Sequence, residues 1–529
     1  MLTRRPALPL TLLVLALSAC AKRAGHYDHS TRSMAPGMAA AYGPTAAPDA
    51  SGEGYAAIEE NAFKQVADDA RSTFSVDVDT AAYSNVRRFL EDGSLPPADA
   101  VRIEEMLNYF SYAYAEPRGP QPFAVQTEVA ACPWNAQARL VQIGVKGRTI
   151  APAAVPPRNL VFLLDVSGSM MAEDKLPLLK RSLTLLVAEL RPEDSVAIVV
   201  YAGASGVVLP PTRGSERDAI VTALGQLEAG GSTNGGAGIE LAYALAAQSF
   251  KAGAINRVIL ATDGDFNVGP SSQGALERLI EEKRKSGVFL SVFGFGTGNL
   301  QDRAMELLAD KGNGNYAYID SLMEARKVLV EQAGGTLVTI AKDVKIQVEW
   351  NPARVGAYRL IGYENRVLAH SDFNDDKKDA GEIGAGHTVT ALYEVLPPGA
   401  AAPGVDPLKY QRAVATPAAA SDELMQVKLR FKQPESETSE LLSFAVADRG
   451  SSLDAASSDL RFAAAVALFG MKLRGSKYAG TLGYSAVREL AAGALGEDPN
   501  GHRRGMLALV DRAAALSGEA TGGPALRAE

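Results

Sequence analysis

The chain has little cysteine and little histidine: Cys20 and Cys132 are its thiols, and five histidines are spread over 529 residues. A disulfide framework or a Cys/His zinc site needs more such residues, closely spaced. A basic excess is missing as well. Lys and Arg total 53 against 61 Asp and Glu, a net charge of −8. Phosphate neutralisation needs a concentrated basic surface, so this balance argues against nucleic acid as a partner. The apolar run from Leu8 to Leu17 falls well short of the roughly 20 residues that span a bilayer. What is present is ordinary for a soluble globular protein, 47% hydrophobic and 22% charged. At roughly 150 residues per domain the length predicts three or four units, each able to bury its own core.

Arg4 and Arg5 precede the Leu8–Leu17 run, which is the layout of a secretory signal. The segment closes as Leu17-Ser18-Ala19-Cys20, which resembles the lipobox of bacterial lipoproteins. That resemblance implies cleavage after residue 19 and acylation of Cys20, and more than one acyl chain gives stable anchoring. Ala21 and Lys22 follow the cysteine, without the aspartate that retains lipoproteins at the inner membrane. The implied location is the cell envelope: the outer membrane of a Gram-negative source, otherwise the outer face of the cytoplasmic membrane. From 20 to 54 the chain is rich in Ala, Gly, Pro and Ser, too poor in apolar bulk to repay ordering. It reads as a tether holding the folded part about 30 Å from the lipid.

Between residues 157 and 335 short apolar runs alternate with amphipathic helical stretches. Leu160–Leu164, Val196–Tyr201, Val258–Ala261, Val288–Phe295 and Tyr316–Ile319 are near-continuous, as in strands of a parallel sheet covered on both faces. Leu176, Leu179, Leu183, Leu186 and Leu190 recur at helical spacing. Ligands of such sheets sit beyond the carboxyl ends of the strands, and the polar residues concentrate there. One strand ends in Asp165-Val166-Ser167-Gly168-Ser169, another in Asp263-Gly264, and a third loop carries Thr233. Carboxylates and hydroxyls without nitrogen or sulfur suit a hard cation, Mg²⁺ first, Mn²⁺ or Ca²⁺ next.

Asp-x-Ser-x-Ser with a later Thr and Asp resembles the metal-ion-dependent adhesion site of the von Willebrand factor type A domain. The resemblance implies that Ser167 and Ser169 ligate directly, Thr233 directly or through water, and Asp165 and Asp263 largely through water. It also implies a protein partner that offers an acidic side chain to the ion. An Asp-Val-Ser-Gly-Ser turn alone is also an ordinary helix N-cap; three loops on one sheet edge favour the metal site.

Alternating strands flank this unit: Phe123–Val129 and Leu140–Val145 before it; Val344–Trp350, Tyr358–Tyr363, Thr388–Val395, Met425–Phe431 and Leu441–Val446 after it. The expected fold is α/β, a doubly wound, mostly parallel sheet combined with an antiparallel β-sandwich and flanking helices, with the α/β unit inserted into the sandwich. The expected divisions are a signal peptide at 1–19, the tether at 20–54, an N-terminal helical module at 55–120, sandwich strands at 121–150, the type A domain at 157–335, further sandwich at 336–450, a helical region at 451–518 and a tail at 519–529. Residues 58 to 516 resemble bacterial envelope proteins in which a type A domain lies between an N-terminal module and a C-terminal domain of unassigned function.

Other signals fail. Asp372–Asp376 suggests an EF-hand, but Lys377 and Ile383 stand where glycine and the bidentate glutamate belong; His370 and His387 leave room for a second ion nearby. Gly470–Lys477 is a P-loop with its last residues inverted and no preceding strand, so no nucleotide is expected. Asp77 and Asp79 read as turn and helix-entry carboxylates before an acid/base pair. A serine hydrolase would need a base, yet no histidine lies between residues 30 and 369. The leading expectation is a non-enzymatic, lipid-anchored protein that captures an acidic partner through Mg²⁺. The alternative is an assembly or metal-insertion accessory protein.

Overall fold

The structure is a computed structural model that describes residues 52–231, 235–264, 273–332, 337–400 and 416–519. The signal segment, Cys20, Thr233 and the tail beyond 519 lie outside the described residues.

The central sheet has six strands in the order Tyr316–Ile319, Phe289–Phe295, Ile255–Thr262, Arg158–Asp165, Ser195–Tyr201, Ser205–Arg213. The first five are parallel and the last is antiparallel. The apolar runs are continuous because both faces are covered. Leu160, Phe162 and Leu164 share a core with Leu179, Leu183 and Leu186 of helix Leu176–Ala188. Val161 and Leu163 point the other way, to Ile239, Ala242 and Leu245 of helix Gly235–Gln248. Strand Ser205–Arg213 escapes a pattern reading because it lies at the sheet edge. It leaves Val207 and Val208 exposed and carries Pro210 and Pro211, whose missing N–H groups only an edge tolerates.

Two antiparallel sheets flank this unit. One runs Lys64–Gln65, Ala357–Ile361, Thr388–Leu396, Arg139–Gly147, Phe123–Ala131; the other runs Gly381–Gly384, Thr339–Trp350, Glu423–Lys432, Ser439–Ala447. Val141, Ile143 and Tyr393 from the first face Ile346, Val348, Trp350 and Phe431 from the second across one core. The Trp350 ring lies 5.1 Å from Tyr393, and Phe123 lies 4.9 Å from Phe431. Strand Arg139–Gly147, before the central sheet in the chain, pairs residue by residue with Thr388–Leu396, which follows it. The α/β unit is therefore an excursion between two neighbouring strands of the sandwich.

The stretch from 55 to 120 is not helical throughout. Arg71–Ser75 adds a strand to Thr339–Trp350, with Phe74 in the sandwich core. Its polar residues disguise it, and two of them find partners when buried: Tyr393 donates to Ser72 at 2.9 Å and Gln347 to Thr73 at 3.0 Å. Helices Ala81–Glu91, Ile103–Asn108, Ser458–Arg474, Tyr484–Ala492 and His502–Leu516 build a second core on the outer face of the first sheet, against Leu140, Ile361, Leu392 and Leu396. Cys132 is a buried free thiol in that core. Among the described residues no helix is long and apolar enough to cross a membrane.

The junction between the α/β unit and the rest of the fold is ionic. The Tyr316 N–H donates to Asp79 at 2.8 Å. Arg87 reaches Asp320 at 2.5 Å and Glu324 at 2.8 Å, and Arg102 pairs with Asp302 and Glu105. Arg366 spans Asp77 at 3.0 Å, Glu306 at 2.9 Å and Asp310 at 2.6 Å. Asp77 does accept the Asp79 N–H in a turn, yet both carboxylates are also buried counter-ions that join the two units.

Candidate metal centre

Strands Arg158–Asp165 and Ile255–Thr262 are neighbours in parallel register, so their carboxyl ends bring Asp165 and Asp263 to one edge. Both side chains are fully buried. The Asp165 carboxylate is held by the Ser167 N–H at 2.9 Å on one oxygen, and by Thr262 at 3.1 Å and Tyr201 at 3.2 Å on the other. The Ser167 and Ser169 hydroxyls lie 2.9 Å apart. Ser167 is buried and Ser169 is exposed, so this edge opens to solvent on the Ser169 side. The Ser169 hydroxyl also hydrogen-bonds Asp263.

Asp165, Ser167, Ser169 and Asp263 are thus brought together. Thr233 lies outside the described residues, but its neighbours are pinned to this loop: Gly230 N–H donates to Val166 at 2.8 Å and Gly168 N–H to Gly231 at 3.1 Å.

A sequence reading misses Lys175 and Asn299. The Lys175 ammonium donates to Asp263 at 2.9 Å and to the Asn299 side chain at 2.8 Å, and Asn299 itself hydrogen-bonds Asp263. Only a chain that folds loop 296–301 over the sheet edge makes this cation part of the site. Gly296 is part of the reason: at φ +75°, a Cβ there would fall 2.2 Å from the Lys175 side chain. Burial acts to raise Asp263, but the hydrogen bonds from Lys175 and Asn299 and the ammonium charge outweigh it and hold the carboxyl below its usual range. Asp165 goes the other way: burial raises it, and the charge of Asp263 adds to that.

The donor set fits a hard cation. It is all oxygen, its two carboxylates and one ammonium leave a net negative charge, and the Ser167–Ser169 spacing matches the roughly 2.9 Å between adjacent ligands of an octahedral ion bonded at about 2.0–2.1 Å. A second acidic cluster, Asp77, Glu105 and Glu306, converges within 4.8 Å, but Arg102 and Arg366 already stand against it. The Asp372–Asp376 stretch belongs to the short helix His370–Asn374 and the turn after it. His370 is engaged by Thr73 and Asp69, and His387 accepts the Gly384 N–H.

A doubly wound sheet with this carboxyl-edge constellation defines a von Willebrand type A domain, a module of protein–protein interaction that often works through a divalent metal. Residues 159–332 match the von Willebrand factor type A domain family, residues 49–142 a family described as von Willebrand factor, and residues 335–516 the C-terminal region of uncharacterized protein YfbK. The chain is 46% identical over 469 residues to the uncharacterized protein YfbK of Escherichia coli K12, a match covering 87% of this chain and 80% of that protein. It belongs to the same family of type A proteins. Among solved structures, a von Willebrand factor type A protein from Catenulispora acidiphila is 17% identical, covering 74% of this chain and 92% of that one at a TM-score of 0.39. The conserved hypothetical protein BatB from Bacteroides thetaiotaomicron is 23% identical, covering 33% of this chain and 97% of that one at a TM-score of 0.29.

Proposed function

We propose that this is a lipid-anchored envelope protein that captures a protein partner by an acidic side chain, through Mg²⁺ held at Asp165, Ser167, Ser169, Thr233 and Asp263. The observation that carries the reading is the convergence of two buried carboxylates and two hydroxyls at one sheet edge, with Ser169 opening to solvent. In this reading the ion, when bound, offers a remaining position to a carboxylate oxygen from outside. The chain's own residues do the rest. Thr262, Tyr201 and the Ser167 N–H fix Asp165 before any partner arrives, and this preorganisation lowers the cost of binding. Met171, 68% exposed beside Ser169, places an apolar contact at the rim, so the favoured partner carries an apolar residue close to its acid. Lipidation at Cys20 would confine the encounter to the envelope surface.

The test uses the full chain in detergent micelles. EDTA is expected to abolish partner capture, as is Asp165→Ala with the fold intact; undiminished capture under both conditions overturns the mechanism. In an enzymatic reading through Ser167 or Ser169, Lys175 would not serve as the base, since its ammonium is committed to Asp263 and Asn299.

A further inference from the structure

The first described residues of the chain dock beside the metal centre. The Gly54 N–H donates to Leu300 O at 2.8 Å, Gln301 donates to Gly52 O at 2.9 Å, and the Gly298 N–H donates to Glu53 at 2.9 Å. The other Glu53 oxygen is clamped from the opposite side by Arg88 at 2.9 Å and Tyr55 at 2.7 Å, and Asn85 in turn holds Tyr55 at 2.8 Å. Composition assigns residues 52–54 to the tether. Instead they form a strap, pinned between helix Ala81–Glu91 and loop 296–301. That loop carries Asn299, which touches both Lys175 and Asp263.

We infer that this strap is an inhibitory latch on the metal site: while residues 52–55 are docked, Asn299 keeps the Lys175 cation on Asp263, and release of the strap frees the site to bind its ion more tightly. The inference rests on the metal-site reading above.

The physical chain is short. Strap hydrogen bonds fix loop 296–301, and the loop fixes Asn299. Asn299 supplies the second acceptor that keeps the Lys175 ammonium buried on Asp263 instead of swung into water. A resident cation there offsets the negative charge that attracts a divalent ion and repels the ion directly. If the strap lets go, Asn299 loses its fixed place and Lys175 one of its two anchors, and the site becomes more negative. Linkage makes the effect reciprocal, so binding of the ion must loosen the strap.

The variants Glu53→Ala and Gly54→Pro disrupt the strap without altering any proposed ligand. The second removes the N–H bonded to Leu300. Mg²⁺ affinity is measured by calorimetry on the full chain in detergent, and hydrogen exchange follows the strap and loop amides. Both variants are expected to bind Mg²⁺ about fivefold more tightly or better. In the wild type, saturating Mg²⁺ is expected to speed exchange at Gly54 and Gly298. Saturable Mg²⁺ binding with unchanged or lower affinity in both variants overturns the latch and leaves the metal site standing. No saturable binding by the wild type overturns the metal site itself, and the latch with it.

Discussion

The ammonium of Lys175 donates to the Asp263 carboxylate at 2.9 Å, both groups buried, at the edge where Asp165 also ends its strand. One internal cation therefore stands against two carboxylates.

Removing that cation without replacing it leaves Asp165 and Asp263 facing each other uncompensated. Lys175→Met is expected to destabilise the metal-free protein by about 3 kcal/mol, seen as a fall in the urea midpoint. Millimolar Mg²⁺ should recover most of the loss, and should raise the midpoint of the variant more than that of the wild type. A variant as stable as wild type without metal would show that the two aspartates do not share their charge.

The ionic junction makes a second prediction. Arg366 holds Asp77, Glu306 and Asp310, and Arg366→Met strands these carboxylates in a buried setting at a cost of about 3–5 kcal/mol. Limited proteolysis should then cut at the segments that join the α/β unit to the sandwich. Proteolytic resistance equal to wild type would contradict a structural role for the network.

Glu104 predicts a pH dependence. It is 1% exposed with one oxygen unpartnered, and burial, joined by the charge of Glu364, lifts its carboxyl from 4.5 to about 7. An acid whose folded value is raised contributes stability that is complete below the unfolded value and lost as pH rises through the folded one. Glu104 should therefore contribute a decline in stability between about pH 4.5 and 7, and Glu104→Gln, which mimics the neutral form, should remove that contribution and gain about 3 kcal/mol at pH 8. Parallel pH profiles for the two proteins would show that Glu104 is charged in the fold.

Gly264 follows Asp263 at φ +112°, where a Cβ would lie 2.4 Å from Asn299 O and 2.6 Å from Gln301 N. Gly264→Ala must push loop 296–301 away, at about 1–3 kcal/mol, and should raise Mg²⁺ affinity as strap release does.

How much of this was legible in the sequence follows from how local each feature is. Strand Arg158–Asp165 declared itself because eight consecutive residues are buried, and Asp165, Ser167 and Ser169 because one turn presents them together. Strand Arg71–Ser75 did not, because its serines and threonine are buried by partners such as Gln347 and Tyr393 that lie more than 200 residues away. Lys175 carries no local signal; its role depends on Asn299, 124 positions on, and on a glycine that leaves room for its stem. The ion pairs of Arg87, Arg102 and Arg366 are invisible to periodicity for the same reason. The edge strand Ser205–Arg213 failed because exposure on both faces leaves no pattern to read.

The proposed function stands on divalent-ion binding at the carboxyl edge of the type A sheet, with the ion recruiting an acidic group. Its most direct measurement is Mg²⁺ titration calorimetry of the full chain in detergent, wild type against Asp165→Ala, with the fold of both checked by circular dichroism. Saturable one-site binding by the wild type and its loss in the folded variant are expected. Equal binding by the two proteins, or none by the wild type, would overturn the metal-site reading.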